Sequence, residues 1–183
     1  MSQLAINHQW RTVVTAGGPY YFPARFTADF RQTFCRPAVY RWRVMQNEGD
    51  TTESIYIGEA EDLVRRIQRV ITPPQTAKGG NTNKRLNKIF TDFIRAGRKV
   101  VLDVAEIEPF ELNGIRFGRD TIGERFKRCA LENILLVFAA ANPHYKLLNA
   151  VLDPPGKSLE VLQALPAYKL RELVQRYKPK SPC

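Results

Sequence analysis

A chain of 183 residues with 44% hydrophobic and 25% charged residues is long enough to bury a sizeable core and fits one globular domain. Lys and Arg total 28 against 18 Asp and Glu, a formal charge of +10, which favours polyanionic partners, nucleic acid before a membrane surface. No apolar run approaches ~18 residues, so no membrane span is expected.

Three scattered cysteines, Cys35, Cys129 and Cys183, form no CxxC pair, and His8 and His144 are the two histidines. That usage weighs against a zinc or His-rich metal site and fits free thiols in a reducing compartment. The N-terminus is too polar for a signal peptide, so a cytoplasmic protein is expected.

Residues 1–37 carry turn formers and aromatics (Gly17, Gly18, Pro19, Tyr20, Tyr21, Phe22, Pro23) and read as an N-terminal arm. Residues 38–45 alternate, with Tyr40, Trp42 and Val44 on one face and Arg41 and Arg43 on the other, the pattern of a half-buried strand. A polar turn over 46–52 leads into a second short strand over 53–57, giving an antiparallel hairpin. A helix over 61–71 ends at Pro73-Pro74. The stretch TPPQTAKGGNTN, residues 72–83, is a loop by composition, and Thr82 or Asn83 caps a helix over 84–96 that stops at Gly97. It lacks the spacing of a Walker A loop, which excludes that triphosphate site. Val-rich residues 99–107 form a third strand, and 121–141 a long helix closed by Asn142-Pro143. A last helix spans about 159–177 in a C-terminal extension over 151–183. The expected fold is α+β in the order β-β-α-α-β-α-α, one three-stranded antiparallel sheet flanked by helices, with its core over 38–150.

Four side chains stand out within this outline. On the helix over 61–71, Leu63, Val64, Ile67, Val70 and Ile71 form the apolar face while Arg65 and Arg69 point away from it. Arg66 sits about 100° from the centre of that face, where it either snorkels along the core edge or serves a site. Glu132 lies in an almost wholly apolar helix, so its carboxylate needs a partner. That partner is either Arg128, four residues earlier with Arg125 a turn beyond, or a bound cation. Tyr40 and Tyr56 are either core aromatics or phenols; a phenol with a pKa near ~10 becomes a useful base only beside cations.

Ala38-Val39-Tyr40, Tyr56-Ile57-Gly58, Arg66 eight residues after Gly58, Glu132 in a later helix, and Asn149 in Tyr-Lys-Leu-Leu-Asn stand in an order that resembles the GIY-YIG nuclease family. The resemblance covers about residues 36–150. It implies a three-stranded sheet with both tyrosine motifs on the first two strands, and a metal-dependent DNA endonuclease. Tyr56 would be the general base, Arg66 the transition-state stabiliser, and Glu132 the ligand of one Mg²⁺ or Mn²⁺. Tyr40 would orient the site and Asn149 support it. Three positions depart from the family: Ala38 stands in place of the first glycine of the GIY triplet, a small-for-small change, Glu59 where many relatives carry lysine, and Val70 where many carry His or Tyr. Lys78 or Lys84 could substitute for the missing cation.

Arg41, Arg43, Arg65, Arg69, Lys78, Lys84, Arg85 and Lys88 are the expected nucleic-acid contacts, with Gly79-Gly80 allowing close backbone approach to phosphate. The expected partner is double-stranded DNA, cut as a restriction-type enzyme acting on a short site as a homodimer. The alternatives are a non-catalytic nucleic-acid-binding protein on the same fold and a basic interaction domain whose tyrosines are merely core.

Overall fold

The computed structural model describes residues 6–46, 52–74, 81–112 and 114–149. In chain order these hold strand β1 (His8–Thr12), the small pair β2 (Val14–Thr15) and β3 (Gly18–Pro19), helix α1 (Ala28–Phe34), strands β4 (Ala38–Val44) and β5 (Glu53–Ala60), and helices α2 (Leu63–Ile71) and α3 (Asn81–Arg95). Then come strands β6 (Val100–Ile107), β7 (Phe110–Leu112) and β8 (Ile115–Phe117), a 3₁₀ turn at Arg119–Thr121, helix α4 (Arg125–Ala141) and strand β9 (Tyr145–Leu147). The expected helix over 159–177, Lys78 and Gly79-Gly80 lie outside the described residues.

The architecture is α+β, but the main sheet has five strands rather than three, in the order β1-β6-β4-β5-β9. The expected trio β6-β4-β5 forms its antiparallel centre. Two further strands come from segments with weak patterns. His8–Thr12 pairs antiparallel with β6 although Trp10 is its one large apolar residue. Tyr145–Leu147 is three residues long and pairs parallel with β5. With neighbours on both sides, β4 is a central strand buried on both faces, not the half-buried strand its alternation indicates.

Each face of the sheet carries its own apolar layer. On one, Tyr40, Trp42, Val44 and Tyr56 pack against Leu63, Val64, Ile67 and Val70 of α2, Leu86 and Phe90 of α3, and Tyr20 and Phe30. Burying each such α2 aliphatic contributes about 1.5–3 kcal/mol, which docks a helix of only nine residues. On the other face, Val39, Ile55 and Ile57 meet Leu131, Ile134 and Leu135 of α4 and the β7–β8 hairpin residues Leu112, Ile115 and Phe117. The side-chain alternation of β5 therefore sends Tyr56 and Gly58 toward α2 and α3, and Ile57 and Glu59 toward α4.

Candidate active site

Local sequence sets the helix that carries Arg66. Asp62 caps α2, its side chain accepting from the Arg65 backbone N–H at 2.9 Å. With the apolar residues of α2 committed to the core, Arg66 is left on its flank, half-buried beside the sheet. Its guanidinium makes three directed bonds there. Nε donates to the Tyr40 hydroxyl at 2.9 Å, Nη1 to Asn83 Oδ1 at 2.9 Å, and Nη2 to the Tyr56 hydroxyl at 3.4 Å. Arg66 is thus not a snorkelling surface arginine.

The two phenols meet because Gly58 leaves space for them. Tyr40 stands opposite Gly58 in the β4–β5 register, and the two tyrosine rings are 6.4 Å apart. A Cβ at position 58 would lie 2.8 Å from the Tyr40 hydroxyl oxygen, so the glycine of the YIG triplet is required by close approach. Burial raises the Tyr40 phenol above its ordinary value, against the pull of Arg66. Burial likewise raises Tyr56, while Arg66 and Arg85 work in the opposite direction. Burial also opposes the Arg66 charge, yet the two tyrosine oxygens outweigh it and hold the guanidinium as a cation.

Glu132 approaches from the other face, around the edge of β5. Strand β9 pairs only with residues 53–55. Beyond it, Asn149 takes the place of a strand: its Oδ1 accepts from Ile57 N–H at 3.0 Å and its Nδ2 donates to Ile57 C=O at 2.7 Å. The next outward N–H belongs to Glu59, and the Glu132 carboxylate accepts it. Burial, then the neighbouring Glu59, pushes the Glu132 carboxyl up to about 7, with Arg66 and Arg128 acting against them. Glu132 and Arg66 thus influence each other electrostatically, as do Glu132 and both phenols.

Arg128, the helix partner expected for Glu132, is engaged elsewhere. Its Nε donates to Glu59 Oε2 at 2.6 Å and its Nη1 to the carbonyls of Ile122 and Gly123 at 3.0 and 3.1 Å. Among the described residues no basic side chain forms an ion pair with Glu132. A half-buried carboxylate so placed fits a hydrated divalent ion such as Mg²⁺, which takes oxygen ligands and retains several waters. Among the described residues no group of three His, Cys, Asp or Glu side chains comes together. A cation held there would take one carboxylate from Glu132 and fill its other positions with water.

Tyr40, Tyr56, Arg66 and Glu132 therefore converge, and Asn149 braces the strand between them. Asn83 joins them unforeseen. Expected as a helix cap, it lies within α3, only 3% exposed. Its signal was present: it sits one turn before Leu86 and two before Phe90, a polar residue on an otherwise apolar stripe. Val70 is fully buried in the core and brings no proton carrier to the site.

The expected nucleic-acid contacts divide. Arg65 and Arg69 on α2, and Lys84 and Lys88 on α3, are exposed, and Arg85 is partly so. Arg41 and Arg43 lie on the opposite face of the sheet and do not join them. Arg41 is 8% exposed, pairs with Asp103 at 2.7 Å and stacks over Trp10 at 4.8 Å. Arg43 pairs with Asp103 at 3.1 Å and Glu53 at 3.4 Å. Their charges are consumed within the fold because β4 is central, not an edge. Among the described residues no helix is long and apolar enough to cross a membrane. Comparison with models of known protein families, with curated proteins and with solved structures found no match for this chain.

Proposed function

We propose that this protein is a metal-dependent DNA endonuclease of the GIY-YIG type that hydrolyses phosphodiester bonds. The observation that carries this is the Arg66 guanidinium, fixed by Tyr40, Tyr56 and Asn83, in electrostatic reach of a half-buried Glu132 that has no ion-pair partner among the described residues. A fixed cation beside two phenols and an uncompensated carboxylate suits attack on a phosphodiester better than it suits packing, where each of these groups is a cost.

In this reading the exposed Arg65, Arg69, Lys84 and Lys88 hold the phosphate backbone. Arg66 stabilises negative charge growing on the phosphoryl oxygens, already oriented before substrate arrives. Tyr56 accepts a proton from the attacking water, and Tyr40 fixes the Arg66 fork. A divalent ion bound at Glu132 would supply positive charge that favours the Tyr56 phenolate and neutralises the leaving 3′-oxygen. Restriction-type cleavage of a short site by a homodimer is the narrower form of the proposal.

The second reading, a non-catalytic nucleic-acid-binding protein, draws on Val70, buried where a proton-carrying side chain would assist the base. One experiment separates the two: incubation of the full chain with mixed plasmid and phage DNAs in Mg²⁺, Mn²⁺ or EDTA, beside Glu132→Ala. Discrete metal-dependent fragments lost in the variant support the site-specific enzyme, and a smear lost in the variant supports a nonspecific or structure-specific one. No cleavage, with DNA binding that falls steeply with salt, supports the second reading.

A further inference from the structure

Arg128 and Glu132 are four residues apart on α4, the spacing at which helix side chains meet. An arginine there has the reach for a two-pronged bond to the carboxylate. Such a bond would fill the oxygens a cation needs and cancel the charge that attracts it. The structure shows Arg128 turned the other way, toward the N-terminal end of its own helix. Three bonds hold it there: Glu59 Oε2 at 2.6 Å, and the carbonyls of Ile122 and Gly123 that precede α4 at 3.0 and 3.1 Å. The side chain is 2% exposed, so no water competes for it. Glu59 contributes twice, since its backbone N–H also donates to Glu132.

We propose that Glu59 is a positioning residue that sequesters Arg128 and so keeps the Glu132 carboxylate open to a divalent cation. This rests on Glu132 being the cation-binding group of the site proposed above. With Glu59 in place, Arg128 is held by three bonds away from Glu132, and no arginine occupies the Glu132 oxygens. With Glu59 replaced by glutamine, Arg128 has two carboxylates four residues away. Glu124 already accepts from Lys127 at 2.8 Å, which leaves Glu132 as the one without a basic partner among the described residues, and a cation must then displace the arginine. Removing both charges returns Glu132 to its isolated state.

The test is Mn²⁺ titration of the full chain without DNA, followed by the EPR signal of free Mn²⁺, with thermal melting to verify folding. Glu59→Gln is expected to weaken Mn²⁺ binding by about 10-fold or more, the scale of losing a supporting partner of a metal ligand. Glu59→Gln/Arg128→Gln is expected to bind within about 3-fold of the wild type, a non-additive rescue diagnostic of coupled neighbours. Arg128→Gln alone, which remains informative if Glu59→Gln fails to fold, is expected to bind Mn²⁺ at least as tightly as the wild type. Weakening in the double variant as large as in Glu59→Gln overturns the inference and makes Glu59 a ligand itself. Weakened binding in Arg128→Gln, or unchanged binding in folded Glu59→Gln, also overturns it. Wild-type protein that binds no Mn²⁺, or binds it equally well as Glu132→Ala, instead removes the metal site on which the nuclease proposal rests.

Discussion

Replacing Gly58 by alanine probes how tightly the hydroxyl cluster is built. The added Cβ would lie 2.8 Å from the Tyr40 hydroxyl oxygen, 2.9 Å from its Cζ and 3.0 Å from Tyr56 Cε1. Ordinary contact begins near ~3.5 Å, so the rings must give way by roughly 0.5 Å. Neither has room, at 0% and 6% exposure. Overpacking of this kind costs about 1–3 kcal/mol. In a chain of this size that lowers Tm by about 2–12 °C. Any shift of Tyr40 also drags the Arg66 fork, and misplacement approaching ~1 Å costs about 10²-fold in rate. The assays are thermal unfolding and single-turnover cleavage of plasmid DNA, beside Gly17→Ala, whose Cβ meets nothing within 4 Å. A Gly58→Ala protein indistinguishable from Gly17→Ala in both would refute the close-approach argument.

Four further outcomes are expected. Asn83→Leu leaves Arg66 Nη1 without its acceptor and should slow cleavage by about 10-fold or more at unchanged DNA affinity, the scale of a bond to a charged group; an equal loss of affinity would make Asn83 a DNA contact instead. Arg41→Ala breaks a buried pair with Asp103 and should cost about 3–5 kcal/mol of stability in urea denaturation while leaving the salt dependence of DNA binding intact. Exposed Arg69→Ala should instead lower that log–log slope by about 1 with stability unchanged. Glu132 carries a raised carboxyl pKa, about 7 against an ordinary 4.5, so the folded state holds the proton more tightly than the unfolded one. Its contribution is present in full below pH 4.5 and is lost as pH rises through about 7. Without added metal, Glu132→Gln should therefore match the wild type at pH 4.5 and exceed it at pH 8 by about 2–3 kcal/mol, measured by denaturant midpoint at both pH values. The opposite sign would mean that Glu132 is ion-paired in solution.

What could be read from the chain was local. The 3.6-residue period of α2 placed Arg66 at the boundary of its apolar face, and the apolar surroundings of Glu132 marked it as a carboxylate in need of a partner. The partners themselves were not legible. Arg128 meets Glu59 across 69 residues and Arg41 meets Asp103 across 62, separations at which no helical or strand period applies. The alternation of β4 led to the wrong environment for Arg41 and Arg43, because a buried ion pair mimics a solvent-facing polar residue in the pattern. Strand β1 is hidden for the converse reason: Trp10 is the one large apolar residue on its inward face, flanked there by His8 and Thr12, and pairing with β6 supplies the rest.

Outward-facing groups on three alternate residues of β5 meet three different acceptors or donors. The Ile55 carbonyl takes Leu148 N–H, Ile57 is bracketed by the Asn149 amide, and Glu59 N–H goes to the Glu132 carboxylate. The margin of β5, which would otherwise invite another chain, is thus met by one backbone N–H and two side chains of its own molecule. The opposite margin is different. Among the described residues β1 pairs with β6 alone. If two copies of this chain join sheet to sheet at β1, strands β6, β4 and β5 stand between that seam and the contact of Glu59 with Glu132.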